Sequence, residues 1–177
     1  MCYNVFPLGD RYMRENSEMK QKILLTACER FNENGYENTS LDMICLTAGI
    51  SKGIIYYYFH SKDDLYLHCV KGCFDAITSY LKESFYEING ELYDYVQQYF
   101  QIRREFLNHH PHFHNLFYNN LVSPPVNLFE EIKQICAPFE QYNAYLIKQI
   151  FFNIPSATNI LLKKLFNIFE CIRTVFT

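Results

Sequence analysis

Three features of this sequence predict an all-α fold. Apolar and aromatic residues recur at three- and four-residue intervals instead of alternating, although tyrosine and phenylalanine by themselves favour strands. A glycine, Gly49, separates two short helical stretches, each headed by a hydroxyl residue suited to a helix N-terminus. Further along, Pro111, Pro124, Pro125 and Pro155 break longer amphipathic runs into helix-sized pieces. The expected organisation is a flexible arm over 1–18, a three-helix unit over 19–64 and a larger helical unit over 65–177.

In the first unit, Thr39 reads as an N-cap, with Asp42 three residues later completing a capping box. Leu41, Ile44, Cys45 and Ala48 then fall at i, i+3, i+4 and i+7, a single buried stripe. Gly49 supplies the left-handed stop that a side chain with a Cβ resists. Ile50 is placed to plug the corner, and Ser51 to cap the next helix, about Lys52–Phe59. In that short helix Ile55 and Phe59, four apart, face the core, while Gly53, Ile54 and Tyr57 point the other way, flanked by Lys52 and Tyr56.

A second capping box, Ser61 with Asp64, opens a long helix over about Lys62–Tyr86 that ends near Asn89 and Gly90. Lys62 places a cation in its first turn, against the positive end of the helix dipole, a conflict that a bound phosphate would relieve. Glu91–His109 follows, with Leu92, Tyr95, Val96, Tyr99, Ile102 and Phe106 at helical spacing. A short helix is expected over His112–Leu121, then one from Pro125 or Val126 to Asn153 disturbed at Pro138, and a final amphipathic one over Ala157–Phe176.

Two short helices about a glycine turn have the layout of a helix-turn-helix, which sets its second helix in the major groove of double-stranded DNA. An outward face bearing apolar and aromatic groups is costly in water, and DNA offers each of those groups a contact. Lysine pairs with phosphate or with guanine O6 and N7, tyrosine hydroxyls bond phosphate, and apolar groups touch thymine methyls. Gly53 lets the backbone come close. The net charge of −3 over 177 residues argues against a protein that coats DNA indiscriminately, yet permits a site-specific reader whose positive surface is local, at Lys52 and Lys62.

Lys22–Leu65 resembles the DNA-binding domain of the TetR family of bacterial transcription regulators. The resemblance is carried by Phe31-x-x-x-Gly35-Tyr36, Thr39-Ser40, Ile44, Ala48-Gly49-Ile50-Ser51-x-Gly53, Tyr56-x-Tyr58-Phe59 and Lys62-x-x-Leu65. It implies that Lys52, Gly53, Ile54 and Tyr57 face the groove and that Ser40, Ser51, Tyr56, Tyr58 and Lys62 clamp phosphates, with Thr39 at the same surface. Ile54 stands where the family often has a small or hydroxylated residue, which favours an apolar base contact. The resemblance further implies a homodimer on an inverted-repeat operator, its reading helices about 34–36 Å apart. It also implies a C-terminal ligand-binding and dimerisation domain, in which a small-molecule effector tilts the helix that begins at Lys62 and releases the DNA.

The C-terminal region is rich in aromatics. Most must be core or dimer interface; some are expected to line a cavity for a flat or greasy effector. Phe100, Phe113, Phe117 and Tyr142 are the candidates for that role, and Ile160, Leu161, Leu165, Phe169 and Ile172 for the dimer interface. Control by protein partners, or by metal or thiol sensing, is the alternative to an organic inducer. Cys69 and Cys73, four apart on one helix, are the residues such sensing would use, whereas His109, His110, His112 and His114 read as a solvated helix junction because Pro111 spoils their helical register. No catalytic signature and no resident cofactor or metal is indicated. Seven cysteines without a C-x-x-C pair, and an N-terminus unlike a secretory signal, point to reduced thiols and a cytoplasmic protein with no membrane span.

Overall fold

The computed structural model describes residues 11–85 and 92–152, and among them there is helix and turn but no strand. The helices are α1 (Arg11–Asn38), α2 (Leu41–Ala48), α3 (Lys52–Tyr58), α4 (Lys62–Ser84), α5 (Leu92–His109), α6 (His114–Val122) and α7 (Phe129–Phe152). Single 3-10 turns at Pro111–Phe113 and Val126–Leu128 lead into α6 and α7. The chain divides into two compact units within α4, the first ending at Cys69 and the second beginning at Val70. The expected final helix over Ala157–Phe176, with the dimer-interface residues Ile160, Leu161, Leu165, Phe169 and Ile172, lies outside the described residues.

The first unit is built on α1, which starts inside the segment expected to be an arm. Ile23, Ala27, Cys28 and Phe31 form its buried stripe. Gly35 breaks the helix at φ 76°, ψ 173°, a conformation closed to residues with a Cβ, and sets the last turn off at an angle. Phe31, Tyr36 and Tyr66 pack ring on ring, with Phe31 edge-on to Tyr66 at 4.8 Å and Tyr36 to Tyr66 at 4.9 Å. All of Leu41, Ile44, Cys45 and Ala48 are buried, as their spacing predicts. So are Ile55, Phe59 and Leu65.

The second unit has an aromatic centre. Phe74 of α4, Phe117 of α6 and Phe139 of α7 meet with ring centroids 5.4–5.6 Å apart. Ile77, Leu81, Ile102, Phe106, Leu116, Ile132 and Leu146 are buried in the same unit. Pro138, expected to disturb α7, lies inside it without ending it. A proline removes the N–H that would bond the carbonyl four residues back, here that of Gln134. Both Pro138 and Gln134 are exposed, so the freed carbonyl faces water instead of an apolar interior.

Candidate nucleic-acid interface

The corner between α2 and α3 is fixed by backbone hydrogen bonds. Gly49 is left-handed at φ 66°, ψ 39°. Its N–H donates to the Leu46 carbonyl at 3.3 Å and that of Ile50 to the Cys45 carbonyl at 3.0 Å, the paired bonds of a Schellman stop. Helix α2 is capped by Ser40, whose hydroxyl accepts from the Met43 N–H at 3.2 Å. Thr39 is therefore not the cap. Its hydroxyl is buried and serves the carbonyls of Gly35 at 2.7 Å and Arg30 at 3.1 Å, tying α2 to the broken end of α1. A side chain enclosed in this way braces the α2–α3 corner from within, whereas Thr39 was expected on the outer surface. The physical reason is that the break at Gly35 brings the end of α1 back against Thr39, within hydrogen-bond reach of the Gly35 and Arg30 carbonyls.

With both walls of the corner fixed, α3 turns its expected face outward. Tyr56 is 51% and Tyr57 67% exposed, Lys52 and Gly53 are exposed, and Ile54 and Tyr58 are half-buried. Tyr57 and Tyr58 lie edge-to-face at 4.9 Å, which holds both rings in place. Ser51 has the extended backbone of an N-cap but makes no side-chain cap bond, so its exposed hydroxyl is left at the start of α3. A Cβ built on Gly53 would meet only the Ser51 hydroxyl, at 3.9 Å. Nothing inside the protein requires glycine there.

Two lysines show what sequence reading missed. Asp42 is not part of a capping box; its carboxylate bonds the Lys52 ammonium across the corner at 2.9 and 3.0 Å. By hydrogen bond and by charge it holds that ammonium above the ordinary lysine range. The two residues are ten apart in the chain, and only the tight turn joins them. Asp42 is itself exposed, so it both occupies Lys52 and presents a negative charge beside α3. We expect Asp42→Asn to free Lys52 for phosphate. The slope of log K against log salt for non-specific DNA would steepen by about 0.9, and the preference for operator would fall. An unchanged slope would mean that Lys52 already meets phosphate in the wild type.

Lys62 has partners within the protein that offset part of its conflict with the helix dipole. Its ammonium lies 4.3 Å from the centre of the Tyr36 ring and donates to the Glu37 carbonyl at 3.3 Å. The Tyr36 hydroxyl donates to Asp63 at 2.6 Å, so the end of α1 and the start of α4 are laced together. The start of α4 is capped by Ser61, which accepts from the Asp64 N–H at 3.0 Å, while Asp64 accepts from the N–H of His60 at 2.8 Å, one residue further back than in an ordinary capping box.

In the second unit, α5 and α6 border a cleft of about 530 Å³. Of the aromatics expected around a cavity only Phe100 lines it. Phe117 is wholly buried between Phe74 and Phe139. Phe113 packs against Phe106 and His110, and Tyr142 stacks on Tyr145 under the Lys82 ammonium. In the structure these three pack against other rings, because a ring goes where it escapes most water. The cleft instead contains Arg103 and Arg104, whose helical spacing gives no sign that they meet a cavity.

Cys69 and Cys73 are buried, their thiols donating to the carbonyls of Leu24 at 3.8 Å and Phe113 at 3.9 Å. Burial pushes the Cys136 thiol up to about 12, far from a reactive thiolate. His110 lies against Phe106 at 4.6 Å, and burial lowers its pKa. No cluster of three or more metal-ligating side chains occurs among the described residues. Among them, too, no helix is long and apolar enough to cross a membrane.

A locked two-helix corner whose second helix turns lysine, glycine and tyrosine to solvent defines a helix-turn-helix DNA-binding protein. Residues 23–69 match the family model for bacterial regulatory proteins of the tetR family. The chain is 29% identical over 145 residues to the biofilm operon icaADBC HTH-type negative transcriptional regulator IcaR of Staphylococcus aureus (strain Newman), covering 77% of each protein. It is 31% identical over 119 residues to IcaR of Staphylococcus epidermidis, covering 65% of this chain and 60% of that one. A chain from Shewanella sp. PV-4, described as a tetR family transcription regulator, shares the fold with a TM-score of 0.61 over 74% of this chain and 69% of its own, at 24% identity. Residues 23–69 are thus a tetR-family DNA-binding region, and the chain is similar to negative transcriptional regulators that carry one.

Proposed function

We propose that the chain is a cytoplasmic repressor that binds an inverted-repeat operator as a homodimer and lets go when a small molecule enters its second unit. The observation that carries the DNA-binding part is the open face of α3: Tyr57 projects, Lys52 is exposed at the start of the helix, and Gly53 leaves room that no internal contact needs. In this docking, Lys52, Gly53, Ile54 and Tyr57 meet base edges, and Ser40, Ser51, Tyr56, Tyr58 and Lys62 meet phosphates. The similarity to negative regulators supports repression. Release is supported by the placement of α4, which belongs in part to each unit. An effector acts only through its preference for the conformation that does not fit DNA, so operator must weaken effector binding by the same factor.

The test begins by selecting operator sequences from random DNA. Lys62→Ala is then expected to weaken every DNA sequence alike and to reduce the salt slope by about 0.9. Lys52→Ala is expected to relax preference at one base position, by on the order of tenfold. Wild-type binding by both variants would refute this docking.

A further inference from the structure

The α5–α6 cleft has an unusual lining for a protein of net charge −3. Phe100, Leu107 and Tyr118 give it an apolar wall; Arg103, Arg104 and His114 give it a basic one; no carboxylate lines it. Arg103 is held among rings, its guanidinium 4.9 Å from the centre of Phe117, 5.3 Å from Tyr99 and 5.8 Å from Phe100. Its one side-chain hydrogen bond is long, from Nη1 to the Tyr99 hydroxyl at 3.4 Å, and its Nε is buried with no partner. Neither arginine pairs with a carboxylate among the described residues.

Buried donors without acceptors are rare in native proteins because each forfeits its bonds to water. Aromatic faces attract a guanidinium but accept no strong hydrogen bond from it. A carboxylate accepts two parallel N–H bonds from a guanidinium edge and cancels its charge. The apolar wall asks for a hydrophobic body attached to that carboxylate, and the cleft volume is in the range of small-molecule sites.

We propose that this cleft binds an organic anion, a carboxylate on an aryl or alkyl body, gripped by Arg103 and Arg104 with its apolar part against Phe100 and Tyr118. For its regulatory consequence this rests on the ligand-released reading above, whose effector class it specifies.

The test is calorimetry on the full chain with benzoate, 3-phenylpropionate and octanoate, each beside its uncharged amide. At least one acid should bind about tenfold or more tightly than its amide. Arg103→Lys, which keeps the charge but loses the fork, and Arg104→Gln, on the exposed side, should each remove about a factor of ten for the acid while leaving the amide unchanged. The thermal midpoint of each variant confirms that it is folded. If no acid exceeds its amide, or if both variants bind the acid as the wild type does, the proposal is overturned. Operator titration separates the two readings. An acid that binds without weakening operator affinity upholds the site and refutes release. Acids that fail to bind, with operator released by another compound, refute the anion class and leave release standing.

Discussion

Gly53→Ala is expected to stabilise the first unit and at the same time to weaken operator binding. The stability half follows from backbone entropy. A glycine within a helix costs about 0.5–1 kcal/mol relative to alanine. Gly53 has no left-handed φ that would bar a side chain, and its Cβ would meet nothing closer than 3.9 Å. For a unit of this size a gain of about 1 kcal/mol raises the melting midpoint by roughly 4–8 °C, and the exposed site near the helix start places the change at or below that range. The binding half follows from the empty space. If α3 lies in the groove with the Gly53 backbone towards the bases, a methyl group there holds the helix away and loosens contacts on either side, at a cost of about tenfold or more in operator affinity. Few substitutions raise the melting temperature while lowering function, so the pair of signs is diagnostic. A more stable variant that bound operator normally would mean that DNA approaches some other surface.

The second large effect concerns Phe117, a residue the sequence suggested for ligand contact and the structure places in the core. Its side chain is fully buried, 5.4 Å from both Phe74 and Phe139, with the Arg103 guanidinium 4.9 Å from its ring centre. Phe117→Ala is expected to lower stability by about 3–5 kcal/mol, the usual cost of removing a buried ring and leaving a hole. That is a large share of the roughly 5–15 kcal/mol that keeps a protein folded. Phe100→Ala, at a position 54% exposed, should change stability by no more than about 0.5 kcal/mol. Urea denaturation of the two variants checks this contrast. Similar losses from both would return Phe117 to the role of a replaceable contact residue.

The features legible in the sequence are those set by neighbours along the chain. The buried stripe of α2 follows from spacing alone, because residues three and four apart must share a helix face. Gly49 had to be a left-handed stop, since it lies between one stripe and the cap of the next helix. The outward set on α3 followed in the same way once Ile55 and Phe59 were assigned inward. The cap of α2 is Ser40, one residue beyond the expected Thr39: both are capping types, and only the nearness of the Arg30 and Gly35 carbonyls to the Thr39 hydroxyl distinguishes them. Proline removes a hydrogen bond, so Pro138 predicts a disturbance; whether that loss matters depends on which side of α7 faces water, and one helix considered alone does not say.

The sequence alone therefore determined that this is a helical regulator with a helix-turn-helix corner, and which face of the reading helix is turned out. Those properties depend on periodicity and on the backbone freedom of a few glycines, which act over four residues or fewer. Only the tertiary structure decided that Asp42 holds Lys52, that Tyr36 shelters Lys62, that Phe117 is enclosed and that two arginines sit in a cleft without acids. Each of those facts requires segments distant in the chain to be brought side by side, and burial and charge pairing belong to that assembled surface rather than to any one stretch of residues.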